Sequence, residues 1–455
     1  MASDTGGLFC PVEFRYGRET VRALFSRERR LARALQVEAA LAATEAELGI
    51  IPAEAATSIA AAVEGGKVRL DRVDALEREL RHDVMAIVRA LGEVAGPGGG
   101  WVHYGATSAD ITETALALEH REALGVLRED LTALVRALLD LARRHRVTAE
   151  VGRTHGQHAV PLSFGYKMAG GAAEVLRARD RLDQLLPRVA VGKMAGAVGT
   201  GASFGEQAEP IEAGVMRRLG LSADEAPTQV VGRDRLAELT NFLALLAGTC
   251  ERLATEVRNL QRTELGEAAE PFDERSQVGS STMAQKRNPI VAENVTSLAR
   301  LVRAFALPPL ENMALWHERD LANSANERIV VPHALVLTDD MLVKLTAIHR
   351  DLRVDVARMR DNLSLAGSAT MTEHLMLALA AKGVPRSEAH ELLRQLTRPG
   401  EAGGTLLERA QGNATLRGYF EPAEITRLLD PASYVESAGA KTDRVVRLLA
   451  ERLER

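Results

Sequence analysis

The chain has 455 residues, 46% of them hydrophobic and 26% charged, with 57 Lys and Arg against 62 Asp and Glu. A net charge of −5 argues against nucleic acid or an anionic membrane as partner, so any anion site must be a local cluster. Aromatics are only 4% and there are two cysteines, Cys10 and Cys250, which leaves a core of Leu, Ala and Val and excludes a disulfide framework or a cysteine metal quartet.

The opening MASDTGGLFC has neither a basic n-region nor an apolar h-region, so a cytoplasmic location is expected. Arg81, His82 and Asp83 lead into the apolar helix pattern VMAIVRAL, and AGPGGGW at 95–101 must end that helix. Leu124, Leu127, Leu131, Leu134, Leu138 and Leu141 then recur at steps of three and four, the seam of a long helix facing other helices. The same rhythm runs through 162–187, through 235–265 and through 329–352. The glycine-rich GKMAGAVGTGASFG at 192–205 is expected to be irregular, and TRPGEAGG at 397–404 to be a connector. The apolar run Phe242 to Ala247 is too short to span a bilayer. No run of period-two strands bounded by hairpin turns stands out. The expectation is an all-α protein with an N-terminal helical domain over 1–108, a central long-helix bundle over 109–360 and a C-terminal helical domain over 361–455.

Several polar clusters escape this helical logic: the opening loop, RHD, HYGATSAD at 103–110, GRTHGQHAVP at 152–161 and WHERDLANSANER at 316–328. A further stretch, VGSSTMAQKRNPI at 278–290, sets two serines beside Lys, Arg and Asn. Each has an ordinary reading. Asp110 with Thr107 and Ser108 could cap the next helix, and His82 could be a satisfied helix-end histidine. Arg319 and Arg328 could belong to a solvated ion-paired face. His155 and His158 are three apart and could be zinc ligands, but no cysteine or further histidine pair supports a metal, and none is expected.

Together the clusters say more. Serines, a lysine, an asparagine, loop histidines and several arginines suit a small polyanion carrying carboxylates or phosphate. A serine beside a lysine and glycine-rich backbone N–H groups can act as a base through its stabilised alkoxide. Lysine and an asparagine amide can hold the charge that builds on a carboxylate when the neighbouring carbon loses its proton. A histidine opposite can protonate the leaving group, which completes a β-elimination.

GSSTMAQKRNP resembles the signature loop of the fumarase/aspartase superfamily, usually G-S-S-x-M-P-x-K-x-N-P. RHDVM, RTHGQHA and HERDxxxSxxER resemble its adenylosuccinate lyase family, especially the shorter archaeal type, and the match runs nearly end to end. The sister 3-carboxymuconate cycloisomerases lack the histidine of RTHG, which is His155 here. The resemblance implies three helical domains, a homotetramer with a twenty-helix core, active sites shared by three subunits and no cofactor. It implies that Ser280 is the general base that removes the Cβ proton of a succinyl group. His155 would be the general acid, with His82 assisting. Lys286 and Asn288 would stabilise the aci-carboxylate intermediate, and Glu293 would orient the histidine side. Thr107, Ser108 and Thr154 would bind carboxylate and Gln229 the polar body of the substrate, while Arg81, Asp83 and Ser281 would complete the binding set. Arg15, Tyr16, Arg319, Ser324 and Arg328 would bind the phosphate of a succinyl nucleotide.

The sequence departs from the family pattern at Ala284, where proline is usual, and at Gly232, where a larger polar residue is expected. Ala109 and Glu113 replace the commoner Asn or Thr and Asp. These departures keep open a paralogue that releases fumarate from another succinyl or nitrosuccinyl compound. A catalytically silent assembly protein would be expected to have lost Ser280, Lys286 or His155, and all three are present.

Overall fold

A computed structural model describes residues 10–365, 367–398 and 404–454. The opening MASDTGGLF and residues 399–403 of the expected connector lie outside the described residues. The protein is all-α, with nineteen α-helices and a few short strands among those residues. The longest helices are Ser108–Arg144, Phe164–Val189, Asp234–Leu260 and Ser324–Arg350. They form where Ala, Leu, Arg and Glu are dense, the residues that lose least on entering a helix. Every leucine of the seam from Leu124 to Leu141 is at most 1% exposed, as its spacing requires.

The chain divides into two compact units, and each is assembled from separated stretches. The first comprises residues 10–130, 178–250 and 297–343 of the described chain. Its N-terminal helix Arg27–Glu47 packs against Ala53–Glu64 and Ala208–Leu219. Leu31, Leu35, Ile59, Leu76 and Leu91 form one apolar centre there. The helices Arg27–Glu47 and Ala208–Leu219 can approach closely because Gly214 has no side chain; a Cβ would lie 2.4 Å from Thr44 Cγ2.

The second unit comprises 131–177, 251–296 and the described part of 344–455. Met371, Leu375, Leu379, Leu393, Leu416 and Ile425 make its C-terminal core. It also holds an element that the helical pattern does not announce. Residues 149–163 form an antiparallel hairpin, β1 (Ala149–Thr154) and β2 (Gln157–Ser163), packed on the helices Val356–Leu365 and Pro431–Leu453. The expectation that no hairpin occurs is therefore corrected. Burial along β1 does not alternate, because three successive residues, Glu150, Val151 and Gly152, are buried. Its register also slips between Val151 and Arg153, so the period-two signature is broken in the sequence.

Candidate active site

Among the described residues, four that are not glycine have positive φ: Arg81 (53°), His103 (66°), His155 (55°) and His317 (53°). All four fall in the polar clusters that the helix pattern leaves unexplained. A left-handed residue with a Cβ costs about 1–2 kcal/mol and persists where its surroundings over-determine it, commonly at functional sites.

In the first unit, Arg81 ends the helix Leu70–Leu80 and His82 caps the helix Asp83–Val94. His82 Nδ1 accepts from Met85 N at 3.3 Å. The helix-end reading of His82 is thus observed, and its other nitrogen stays available. Arg328 Nη2 donates to Asp83 Oδ2 at 3.2 Å, which joins two of the expected binding residues across the chain. Ser324 starts that same helix, Ser324–Arg350. Gln229 and Arg319 are also brought together, with Arg319 Nη1 donating to Gln229 Oε1 at 3.2 Å. Arg15 and Tyr16 lie in a turn whose N–H groups donate to Pro11 O at 2.8 and 3.2 Å.

Thr107 and Ser108 sit at the start of the helix Ser108–Arg144, the positive end of its dipole. Asp110 does cap this helix start: its Oδ2 accepts from Thr107 N at 2.9 Å. It also does more than the capping pattern suggests. Asp110 Oδ1 is paired with Lys193 and accepts from Ala195 N at 2.9 Å and Gly196 N at 3.3 Å. A buried carboxylate thereby ties the glycine-rich loop to the helix that carries Thr107 and Ser108. A second buried hub is Arg233, paired with Glu113 and, at 3.0 Å, with Glu327. It links the Ser108–Arg144 helix to the Ser324–Arg350 helix. Lys193 could have been noticed as the one charge in a glycine run, whereas nothing local marks Arg233.

In the second unit, the loop 278–290 is shaped by its glycine. A Cβ on Gly279 would lie 2.0 Å from Lys286 O, so only glycine lets the two ends of the loop meet there. Asn288 Nδ2 donates to Gly279 O at 3.2 Å and closes the same neck. Ser280 Oγ accepts from Met283 N at 3.1 Å and from Thr282 N at 3.3 Å. Two backbone donors on one hydroxyl oxygen favour its deprotonated form. Ser281 and Lys286 are exposed on this loop. Glu293 lies in the first turn of the helix Ile290–Ala304. Glu270 accepts from Val291 N at 3.1 Å and Ala292 N at 3.0 Å at that helix start; burial pushes its carboxyl up, against the lowering by these amides. A cavity of about 690 Å³ beside the loop has a mostly uncharged lining to which Arg258, Arg262, Lys286 and Arg287 add cations and Glu293 a carboxylate.

Thr154 and His155 are at the tip of the hairpin. Thr154 pairs with Gln157, which leaves His155 (φ 55°) and Gly156 (φ 73°) as the two turn residues. Two central residues with positive φ make the tight turn that matches strand twist, usually built from Asn-Gly rather than His-Gly. The imidazole is exposed at the apex. His158 sits on β2 opposite Arg153, away from the apex.

Residues 13–304 match a lyase family model, and residues 369–445 match a model for the adenylosuccinate lyase C-terminus. The chain is 46% identical to an adenylosuccinate lyase of Pyrococcus abyssi, over 97% of this chain and 98% of the relative. It is 42% identical to an adenylosuccinate lyase of Methanothermobacter thermautotrophicus, over 96% of this chain and 98% of the relative. The crystal structure of a 3-carboxy-cis,cis-muconate lactonizing enzyme from Pseudomonas putida superposes with a TM-score of 0.86 at 32% identity, covering 97% of this chain and 98% of that one.

Proposed function

The chain belongs to the adenylosuccinate lyase family of the fumarase/aspartase superfamily, and we propose from that premise that it eliminates fumarate from adenylosuccinate, leaving AMP, and from the succinylated carboxamide ribotide of purine synthesis. The observation that carries this reading is the similarity to an adenylosuccinate lyase along 97% of the chain.

In this reading the Ser280 alkoxide, favoured by the Thr282 and Met283 amides, takes the proton from the succinyl Cβ. Negative charge then builds on the adjacent carboxylate, where Lys286 and Asn288 oppose it. The bond from the succinyl carbon to the purine or carboxamide nitrogen breaks, and His155 delivers a proton to that nitrogen. His82 assists, and Glu293 orients the histidine side. Thr107, Ser108, Thr154 and Ser281 hold carboxylates. Gln229, Arg81 and Asp83 hold the polar body, and Arg15, Tyr16, Arg319, Ser324 and Arg328 hold phosphate. No metal or cofactor enters this scheme.

The expected residues fall into two sets, one in each compact unit, with Ser280 and His155 both in the second. In a homotetramer with sites shared by three subunits, each site would take its first-unit residues, its Ser280 loop and its His155 hairpin from three different chains, although Ser280 and His155 lie in the same unit. Mixing Ser280→Ala with His155→Ala protein should then restore activity, and properly mixed tetramers that stay inactive would overturn the shared site.

The direct test is incubation with adenylosuccinate and chromatography of the products. Stoichiometric fumarate and AMP are expected. No release from folded protein would reject adenylosuccinate, and a fumarate-release screen of other succinyl and nitrosuccinyl compounds would follow.

A further inference from the structure

The hairpin that carries His155 is anchored through an ion pair that the reaction scheme above does not use. Strand pairing runs from Ala149↔Ser163 to Val151↔Pro161, then slips and resumes at Arg153↔His158. At the slip Gly152 opposes two residues of β2, and a Cβ on it would lie 2.4 Å from Val160 O. The extra residue lies in β2, so it is β2 that bends against β1 there. The next side chain of β1 is Arg153, whose Nη1 and Nη2 donate to Glu267 Oε2 and Oε1 at 2.8 and 2.6 Å. Two parallel charge-assisted bonds fix direction as well as distance.

Glu267 is itself held firmly. Its side chain is 0% exposed and accepts from Asn362 Nδ2 at 2.7 Å, while Asn362 also donates to Leu265 O at 2.9 Å. Its backbone N donates to Leu260 O at 3.0 Å, and its backbone O accepts from Asp355 N at 2.9 Å. The two residues after it, Ala268 and Ala269, pair with Val354 and Arg353. On the other side of the hairpin base, Lys167 Nζ bonds Glu150 at 2.5 Å and Glu256 at 2.6 Å. The base of the hairpin is therefore fixed by buried charge, and two residues beyond Arg153 the chain enters a left-handed histidine that needs such support.

We propose that Arg153 and Glu267 are positioning residues for His155: their fork fixes the hairpin tip, so that the imidazole is presented at one place rather than sampled over several. The proposal rests on His155 being the general acid. A displacement of the order of 1 Å at a catalytic group costs roughly 100-fold in rate, so loosening this fork should lower turnover more than it weakens substrate binding, to which Thr154 at the same tip is one of several contributors.

The test is a double-mutant cycle on adenylosuccinate cleavage. Glu267→Gln alone should lower kcat by roughly 10- to 100-fold with KM changed less than about threefold. In a His155→Ala background, the same change should alter kcat by less than about threefold, because the general acid that the fork positions is gone. An equal loss in both backgrounds would make Glu267 a general structural residue and overturn the proposal. Wild-type kcat in His155→Ala alone would instead overturn the acid assignment, and the positioning role with it. Should Glu267→Gln not fold, Arg153→Lys enters the same cycle from the hairpin side and leaves Glu267 bonded to Asn362.

Discussion

Lys193 and Asp110 form an ion pair between side chains that are both 0% exposed, though 83 residues separate them in the chain. A buried charge is tolerated only with a partner, and removing one member leaves the other desolvated. Asp110 keeps three backbone donors, Thr107, Ala195 and Gly196, which offset part of that loss. Lys193→Met should therefore destabilise the protein by about 3–5 kcal/mol, read as a lowered midpoint in chemical denaturation. Asp110 orders the Thr107–Ser108 turn, so if that turn holds a substrate carboxylate, KM for the succinyl substrate should rise as well. A variant of unchanged stability would mean that Asp110 is satisfied by amides alone.

Glu45 is 0% exposed, and neither of its carboxylate oxygens has a hydrogen-bond partner among the described residues. Burial, with Glu38 nearby, pushes its carboxyl up from 4.5 to about 8. Glu38 in turn faces His103 at 2.7 Å. Below pH 4.5 Glu45 is neutral in both the folded and the unfolded chain. Between there and about pH 8 the unfolded chain releases the proton and the folded chain keeps it, so stability falls as pH rises. Glu45→Met should raise the melting temperature, by a margin that grows from pH 5 to pH 8. A margin independent of pH would show that Glu45 is not held neutral.

The helical framework is legible in the sequence because burial on a helix repeats every three to four residues, and the leucine seam from Leu124 displays that period without interruption. The signature loop is legible because its polar residues contradict the surrounding rhythm. The hairpin is not, since the slip at Gly152 spoils alternation and His155–Gly156 lacks the usual turn residues. The ion pairs are not legible either. Lys193 with Asp110, Arg233 with Glu113 and Glu327, and Arg153 with Glu267 join distant segments, and no local pattern selects one charge as the partner of another. What the sequence leaves hidden is the support of the expected site residues more than those residues themselves.

Arg328 and Asp83 form an exposed pair, with side chains 66% and 45% accessible. Exposed pairs contribute about 0–1 kcal/mol, so Arg328→Ala should leave stability nearly unchanged. If Arg328 binds phosphate, the loss should appear in recognition. KM for adenylosuccinate should rise by roughly tenfold or more, as for a lost hydrogen bond to a charged group, while KM for the dephosphorylated succinyl nucleoside changes little. Steady-state kinetics on both compounds decide it, and equal effects would remove Arg328 from the phosphate set.

Ala284 occupies the first central position of a turn closed by Lys286, whose N donates to Met283 O at 3.1 Å. Proline is favoured at that position because its ring presets φ. The family's usual proline should therefore fit without disturbing the Gly279–Asn288 neck. Ala284→Pro should stabilise the ordered loop by about 0.4–1 kcal/mol through the freedom it removes from the disordered one. Amide hydrogen exchange over 278–290 should slow, while Ser280 keeps its two backbone donors and kcat stays within about threefold of wild type. Faster exchange, or a kcat reduced by an order of magnitude, would mean that the loop must leave this turn during catalysis and that alanine at 284 permits it.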